Sequence, residues 1–259
     1  MPRSRPTDGL APRAPEASGA GRGEVRAVAA LTACERGAML ALMQRHFREV
    51  TRETFGADLE EKESAVLLYD ETGDLAGFST LLRMTARLGG AEATAFFSGD
   101  TVVDERARGI GALPRLWSQH VFARARDAPN AETYWFLISS GYKTYRFLPT
   151  FFRTFVPAPE ASGDSREAAL LAAFARERFG TRYDAEAGVV RLAHPTPLRE
   201  GVGEITPHRL RDPHVAFFAR ANPGHARGDE LACLTRIHPD NLTPAGQRMV
   251  GPHLASPLP

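Results

Sequence analysis

Residues 96–117 read FFSGDTVVDERARGIGALPRLW, and within them Arg106, Gly109, Gly111 and Ala112 stand in the order R-x-x-G-x-G-A. A strand-like run enters this turn and the chain leaves it as a helix, so the first N–H groups of that helix are unpaired and converge on one point. The helix dipole adds partial positive charge there, and Arg106 and Arg108 supply planar donors suited to phosphate oxygens. The chemistry this predicts is the binding of a pyrophosphate. The pattern is not a P-loop, because no Gly-Lys-Ser/Thr follows. Nor is it the dinucleotide G-x-G-x-x-G, because Arg106 occupies the place of the first glycine.

The elements around the turn follow from periodicity. Residues 31–55 carry Met39, Leu42, Met43, Phe47 and Val50 at helical spacing, an amphipathic helical region. Residues 64–70 and 74–84 read as a β-hairpin turning at Glu71, Thr72 and Gly73, and residues 92–103 as a third strand entered through Gly89-Gly90. A helix over about 111–126 follows the turn. Residues 133–139, TYWFLIS, lack alternation and read as a strand buried on both faces. Residues 1–24, rich in Pro, Gly and Arg, read as a disordered tail. After about 157 the pattern weakens: a linker, a helix over 166–179, a short strand at 188–192 and a helix-like stretch at 214–220 make an expected extension, 158–259, packed on a domain of 25–157.

With Arg106, Gly109, Gly111 and Ala112 placed between that strand and that helix, and with the strand 133–139 following, the chain resembles the GNAT (acyl-CoA N-acyltransferase) superfamily over about Val25 to Val156. The resemblance implies an α+β fold, a central, mostly antiparallel twisted sheet flanked by helices. It implies that the amides of Arg106, Arg108, Gly109, Ile110, Gly111 and Ala112 hold the pyrophosphate of coenzyme A, and that the activity is acyl transfer. Acetyl-CoA is the expected donor, with a longer acyl-CoA or an acyl carrier protein as the variant, and the acceptor is the amine of a small metabolite. The layout is also similar to that of N-acyl amino acid synthases. A GNAT-like module that binds coenzyme A without catalysis is the rival reading.

In the resembling family the strands before and after the loop part at their ends and the thioester enters the gap. Asp100, at the end of an otherwise apolar strand, is then the candidate general base, and backbone amides of Thr101, Val102 and Val103 are candidates to hold the donor and its oxyanion. Family members often use a tyrosine as the acid that protonates the leaving thiolate, but the best match here is Phe152. Tyr142 or Tyr145, in a different register, is the substitute, with Tyr145 the candidate acid. An aromatic cluster of Tyr142, Tyr145, Phe147, Phe151, Phe152 and Phe155 predicts either an apolar slot for a long acyl chain or simple core packing.

Other residues point elsewhere or nowhere. His225 lies in NPGHARGDEL beside Asp229 and Glu230, which could orient an imidazole into a catalytic dyad. His208, His214, His225 and His238 are irregularly spaced, so no metal site is expected. No G-x-S-x-G is present, which removes support for a serine hydrolase. The net charge of +1, from 32 basic and 31 acidic residues, gives no field for nucleic acid. Cys34 and Cys233 are the only cysteines, Cys233 reading as a buried thiol, and no apolar run approaches the about 18 residues of a membrane span. A cytoplasmic setting is the expectation.

Overall fold

The computed structural model describes residues 22–107, 111–128, 131–160 and 165–255. In chain order these form β1 (Gly23–Ala27), α1 (Ala33–His46), α2 (Arg52–Glu60), β2 (Ser64–Tyr69), β3 (Leu75–Leu88), β4 (Ala91–Val103), α3 (Ala112–Arg126) and β5 (Thr133–Ser139). There follow α4 (Tyr142–Tyr145), α5 (Phe147–Phe151), α6 (Arg166–Phe179), β6 (Tyr183–Asp184), β7 (Val189–Val190), α7 (Pro213–Ala221), β8 (Glu230–Arg236), α8 (Pro244–Val250) and α9 (Pro252–Ala255). The expected tail lies almost wholly outside the described residues. Its last part, from Gly23, forms β1, antiparallel to β2.

All eight strands join one sheet in the order β1-β2-β3-β4-β5-β8-β7-β6. Every pairing is antiparallel except β4 with β5. This is the mixed, mostly antiparallel sheet flanked by helices that the GNAT resemblance implied. The segment after 157 enters the sheet as β6, β7 and β8, with β8 hydrogen-bonded along β5 from Ser139 opposite Leu231 to Tyr134 opposite Arg236. β8 itself was not legible as a strand, because ELACLTR sits among loops and its burial on both faces erases any alternation.

The alternation of side chains divides the core between two faces of the sheet. On one, Phe96, Trp135, Leu137, Leu231 and Cys233 pack with Leu113, Trp117 and Val121 of α3 and with Phe152 and Phe218. On the other, Phe97, Phe136, Ala232 and Leu234 pack with Leu170, Phe174 and Phe179 of α6. On that same side, Leu67 and Phe78 carry Met39, Leu42, Phe55 and Leu59 of α1 and α2. Cys233 is fully buried, as its sequence context predicted.

Candidate functional site

The parallel pairing of β4 and β5 runs from Thr94 opposite Thr133 to Ser98 opposite Leu137 and then stops. Beyond that point β4 continues to Val103 and β5 to Ser139 without pairing to each other, so the two strands part. A cavity of about 490 Å³ occupies the gap. Its lining comes from both faces: Leu113, Pro114 and Trp117 of α3 on one side, and Phe55 and Asp58 of α2 with Arg178 and Phe179 of α6 on the other. The cavity therefore passes through the sheet.

A β-bulge decides what β4 presents to it. Between Ser79 and Leu81 of β3 the register with β4 shifts, so Ser98 faces Leu81 and Thr101 faces Ser79, and Gly99 and Asp100 together stand opposite the single residue Thr80. The parity of the strand changes there: Phe97 packs on the α6 side, and beyond the bulge Val102 packs on the α1–α2 side of the same face. Asp100, two residues before Val102, is thus turned to the α2 and α6 face. Gly99 is required at this point, since a Cβ would lie 2.7 Å from both Lys62 Cε and Thr80 Oγ1.

Burial pushes the Asp100 carboxyl up to about 7, with the Asp58 charge adding to the rise and Lys62 opposing it. Glu230, the first residue of β8, is 9 % exposed and lines the same cavity. Burial lifts it to about 8, against a hydrogen bond from Ser140 and reinforced by Asp100 and Asp58. Lys62 is committed to Asp58, with Nζ 2.5 Å from Oδ2 and 3.0 Å from the backbone oxygen. Arg178 reaches Asp58 at 3.6 Å, pairs with Glu61 and lies 5.5 Å from the Phe97 ring centroid.

The α3 face differs in kind. Trp117 and Trp135 lie 4.5 Å apart, Trp135 is 5.8 Å from Phe152, and its indole N–H donates to Ser98 Oγ at 3.0 Å. Phe147 and Phe151, stacked at 5.7 Å, and Met249 extend this wall. The N-cap of α3 is Gly111, whose φ of 62° is left-handed, and among the described residues no side chain caps this N-terminus. The contrast is with the other helices of seven or more residues: Thr32 and Thr51 form capping boxes on α1 and α2, and Ser165, Asp212 and Thr243 cap α6, α7 and α8. Pro114 removes one further donor, so the amides of Ala112 and Leu113 are the ones left for an anion.

A strap from the C-terminal region closes the remaining side. The Arg48 N–H donates to Pro197 O at 2.9 Å and the Arg199 N–H to His46 O at 2.9 Å, while Phe47 and Leu198 form an antiparallel bridge. Leu192, His194, Thr196 and Leu198 thereby line the cavity.

Of the residues picked out in the sequence, Asp100, Thr101, Val102 and Val103 line the cavity together with Phe147, Phe151 and Phe152. Gly111 and Ala112 open α3, whereas Arg108, Gly109 and Ile110 lie outside the described residues, and of Arg106 only the backbone, in a 3₁₀ turn, is described. Tyr145 is fully buried outside the cavity lining. Its hydroxyl donates to Pro157 O at 2.9 Å, and burial pushes its pKa upward. Tyr142 and Phe155 also belong to the core. His225 lies against Phe218 at 5.7 Å, away from the cavity, with burial holding its pKa down. Among the described residues no group of three or more His, Cys, Asp or Glu is placed to hold a metal, and no helix is long and apolar enough to cross a membrane.

No family model matches the sequence and no curated protein matches it. Among solved structures, the chain is similar to a GNAT family N-acetyltransferase from Escherichia coli in complex with CoA, at 16 % identity and a TM-score of 0.37, over 51 % of this chain and 69 % of that one. It is also similar to glucosamine-6-phosphate N-acetyltransferase from Arabidopsis thaliana, at 18 % identity and a TM-score of 0.34, over 45 % and 81 %. A probable N-acyltransferase from Enterococcus faecalis is similar over 83 % of this chain and 65 % of that one, at 11 % identity and a TM-score of 0.40.

Proposed function

We propose that the chain is an N-acyltransferase of the GNAT type, moving an acyl group from an acyl-CoA thioester to the amine of a small metabolite by direct attack. The observation that carries this reading is the cavity through the sheet where β4 and β5 part, with an uncapped helix N-terminus at one side and two carboxylates at the other. The donor suits the α3 face: its phosphates belong at the start of α3, and its apolar arm and acyl group belong among Leu113, Trp117, Trp135 and Phe152. The acceptor suits the α2 and α6 face, where Asp100 stands ready to take a proton.

A thioester is already activated, so the protein needs chiefly to hold the amine beside the carbonyl and to accept its proton. The amine nitrogen bonds to the carbonyl carbon while Asp100 takes a proton, amides near Thr101–Val103 receive the oxyanion, and the carbon–sulfur bond breaks. Residues Trp135, Phe147, Phe151 and Phe152 leave room for acyl groups longer than acetyl. The unpaired thiols Cys34 and Cys233 fit a reducing, cytoplasmic setting.

The test is acceptor-dependent thiol release, corrected for hydrolysis, with acetyl-CoA, octanoyl-CoA and an octanoyl acyl carrier protein over a panel of amines. Release that requires an amine is expected with at least one CoA donor. Tight CoA binding with no transfer across the panel would instead make the chain a binding module.

A further inference from the structure

Of the stretch 225–230, it is Glu230 and not His225 that lines the cavity. Its orientation follows from its own strand, since Leu231 and Cys233 belong to the core under α3 while Ala232 and Leu234 belong to the core under α6. Glu230 shares the parity of Ala232 and so faces α6. Leu231 lies opposite Ser139, which sets Glu230 beside the free end of β5, where Ser140 contacts it. Asp100 reaches the same face from the free end of β4. The two carboxylates thus flank the gap, Asp100 on β4 and Glu230 on β8 beside the end of β5.

Several of the other charged groups around them are already occupied. Asp58 and Lys62 of α2 pair with each other, Arg178 of α6 is held by Asp58 and Glu61, Lys143 donates to Val202 O, and His46 and His194 also line the cavity. Among the described residues, neither Asp100 nor Glu230 forms an ion pair within 4.0 Å. Buried carboxyls with no ion-pair partner within 4.0 Å are costly to ionise, and a cationic ligand would offset that cost.

We infer that Asp100 and Glu230 together receive the acceptor as an ammonium ion and take up the two protons its nitrogen must lose. This rests on the acyltransferase reading above. One carboxylate takes the proton that frees the nitrogen lone pair; the carbon–nitrogen bond then forms, and the second carboxylate takes the next proton. As the carbonyl re-forms and the carbon–sulfur bond breaks, one of the two carboxylic acids protonates the departing thiolate and the other returns its proton to water. Ammonium and thioester become amide, thiol and one proton, and no tyrosine is needed as the acid.

The experiment uses CoA-saturated protein at pH 7 with benzylamine as the ammonium probe and benzyl alcohol as its neutral counterpart, titrated calorimetrically in two buffers of different ionisation enthalpy. Wild type should bind benzylamine with release of protons, and E230Q and D100N should each weaken that binding about tenfold or more without changing the response to benzyl alcohol. Benzylamine binding to E230Q at wild-type strength, absence of benzylamine binding to wild type, or equal losses for the alcohol would each overturn the inference. Unchanged CoA affinity in both variants certifies their fold.

Turnover is scored separately. In E230Q, kcat/KM should fall about 10²-fold for benzylamine and less than tenfold for aniline, which is already neutral. Unchanged transfer in E230Q overturns the role of Glu230 while leaving the acyltransferase reading intact. Wild type that binds benzylamine through Glu230 yet releases no thiol overturns the acyltransferase reading and leaves the ammonium site standing.

Discussion

On the α3 face the cavity wall is Leu113, Trp117, Trp135 and Phe152; on the α2 and α6 face it is Asp58, Asp100, Glu230 and Arg178. The first wall needs no special backbone beyond the left-handed Gly111, because aromatic residues on regular elements fill it. The second depends on a bulge at Gly99 and Asp100 and on a strand contributed from more than 90 residues further along the chain. In the proposed function, binding of the donor and chemistry on the acceptor therefore draw on different structural resources. They should fail separately when perturbed.

The largest separation is expected from Gly111→Asp. An L residue at a φ of 62° costs about 1–2 kcal/mol in backbone strain, and the new anion sits at the uncapped start of α3. CoA affinity should drop about 10²-fold or more, as read by calorimetry, while benzylamine binding is retained. Loss of both would show that the two walls are not independent.

Next is the pH dependence of transfer. With Asp100 raised to about 7 and Glu230 to about 8, kcat/KM for an alkylamine should climb through this range as the carboxylates ionise and then level off. In D100N the limb near 7 should vanish, with kcat down about 10²-fold. A profile unchanged in shape would remove Asp100 from the proton path.

A smaller effect tests the aromatic wall. Phe147→Ala removes an apolar contact from the cavity lining, and KM should rise by about threefold to tenfold for octanoyl-CoA and by less than twofold for acetyl-CoA. Equal changes for both donors would mean that the acyl chain lies elsewhere.

Stability should respond in the opposite sense to activity. Because folding raises the Glu230 pKa, its contribution to stability is complete below its ordinary value near 4.5 and is lost as pH rises through about 8. E230Q should therefore melt a few degrees above wild type at pH 9, with the difference shrinking at pH 5. The smallest functional change is expected from Tyr145→Phe, which removes the bond to Pro157 O at a cost of about 1–2 kcal/mol of stability while kcat stays within about twofold. A large fall in kcat would restore Tyr145 as the acid.

The same contrast explains what was readable in the sequence. β2, β3, β4, α3 and β5 carry strong local patterns, and β5 starts and stops where the run TYWFLIS does. Asp100 was legible as a polar residue closing an apolar strand. Its aim toward α2 and α6 was not, because a bulge is set by the pairing with β3 and leaves only Gly99 as a local trace. Glu230 stands within the same loop-like stretch as His225, and by residue type the histidine is the more obvious catalytic candidate, since an unperturbed imidazole titrates near neutrality. Once β8 pairs with β5, the strand's parity carries Glu230 to the cavity and leaves His225 beside Phe218. Long-range pairing, invisible to local periodicity, decided which of the two faces the gap.

The central claim is that the gap between β4 and β5 transfers an acyl group from a coenzyme A thioester to an amine. The most direct test is single-turnover mixing of acyl-CoA-loaded protein with benzylamine, following free thiol and amide together. Stoichiometric appearance of both, at one rate that falls in D100N and in E230Q, is the predicted result. Acyl-CoA that stays bound and intact after amine is added, across acetyl and octanoyl donors and a panel of amines, would contradict it.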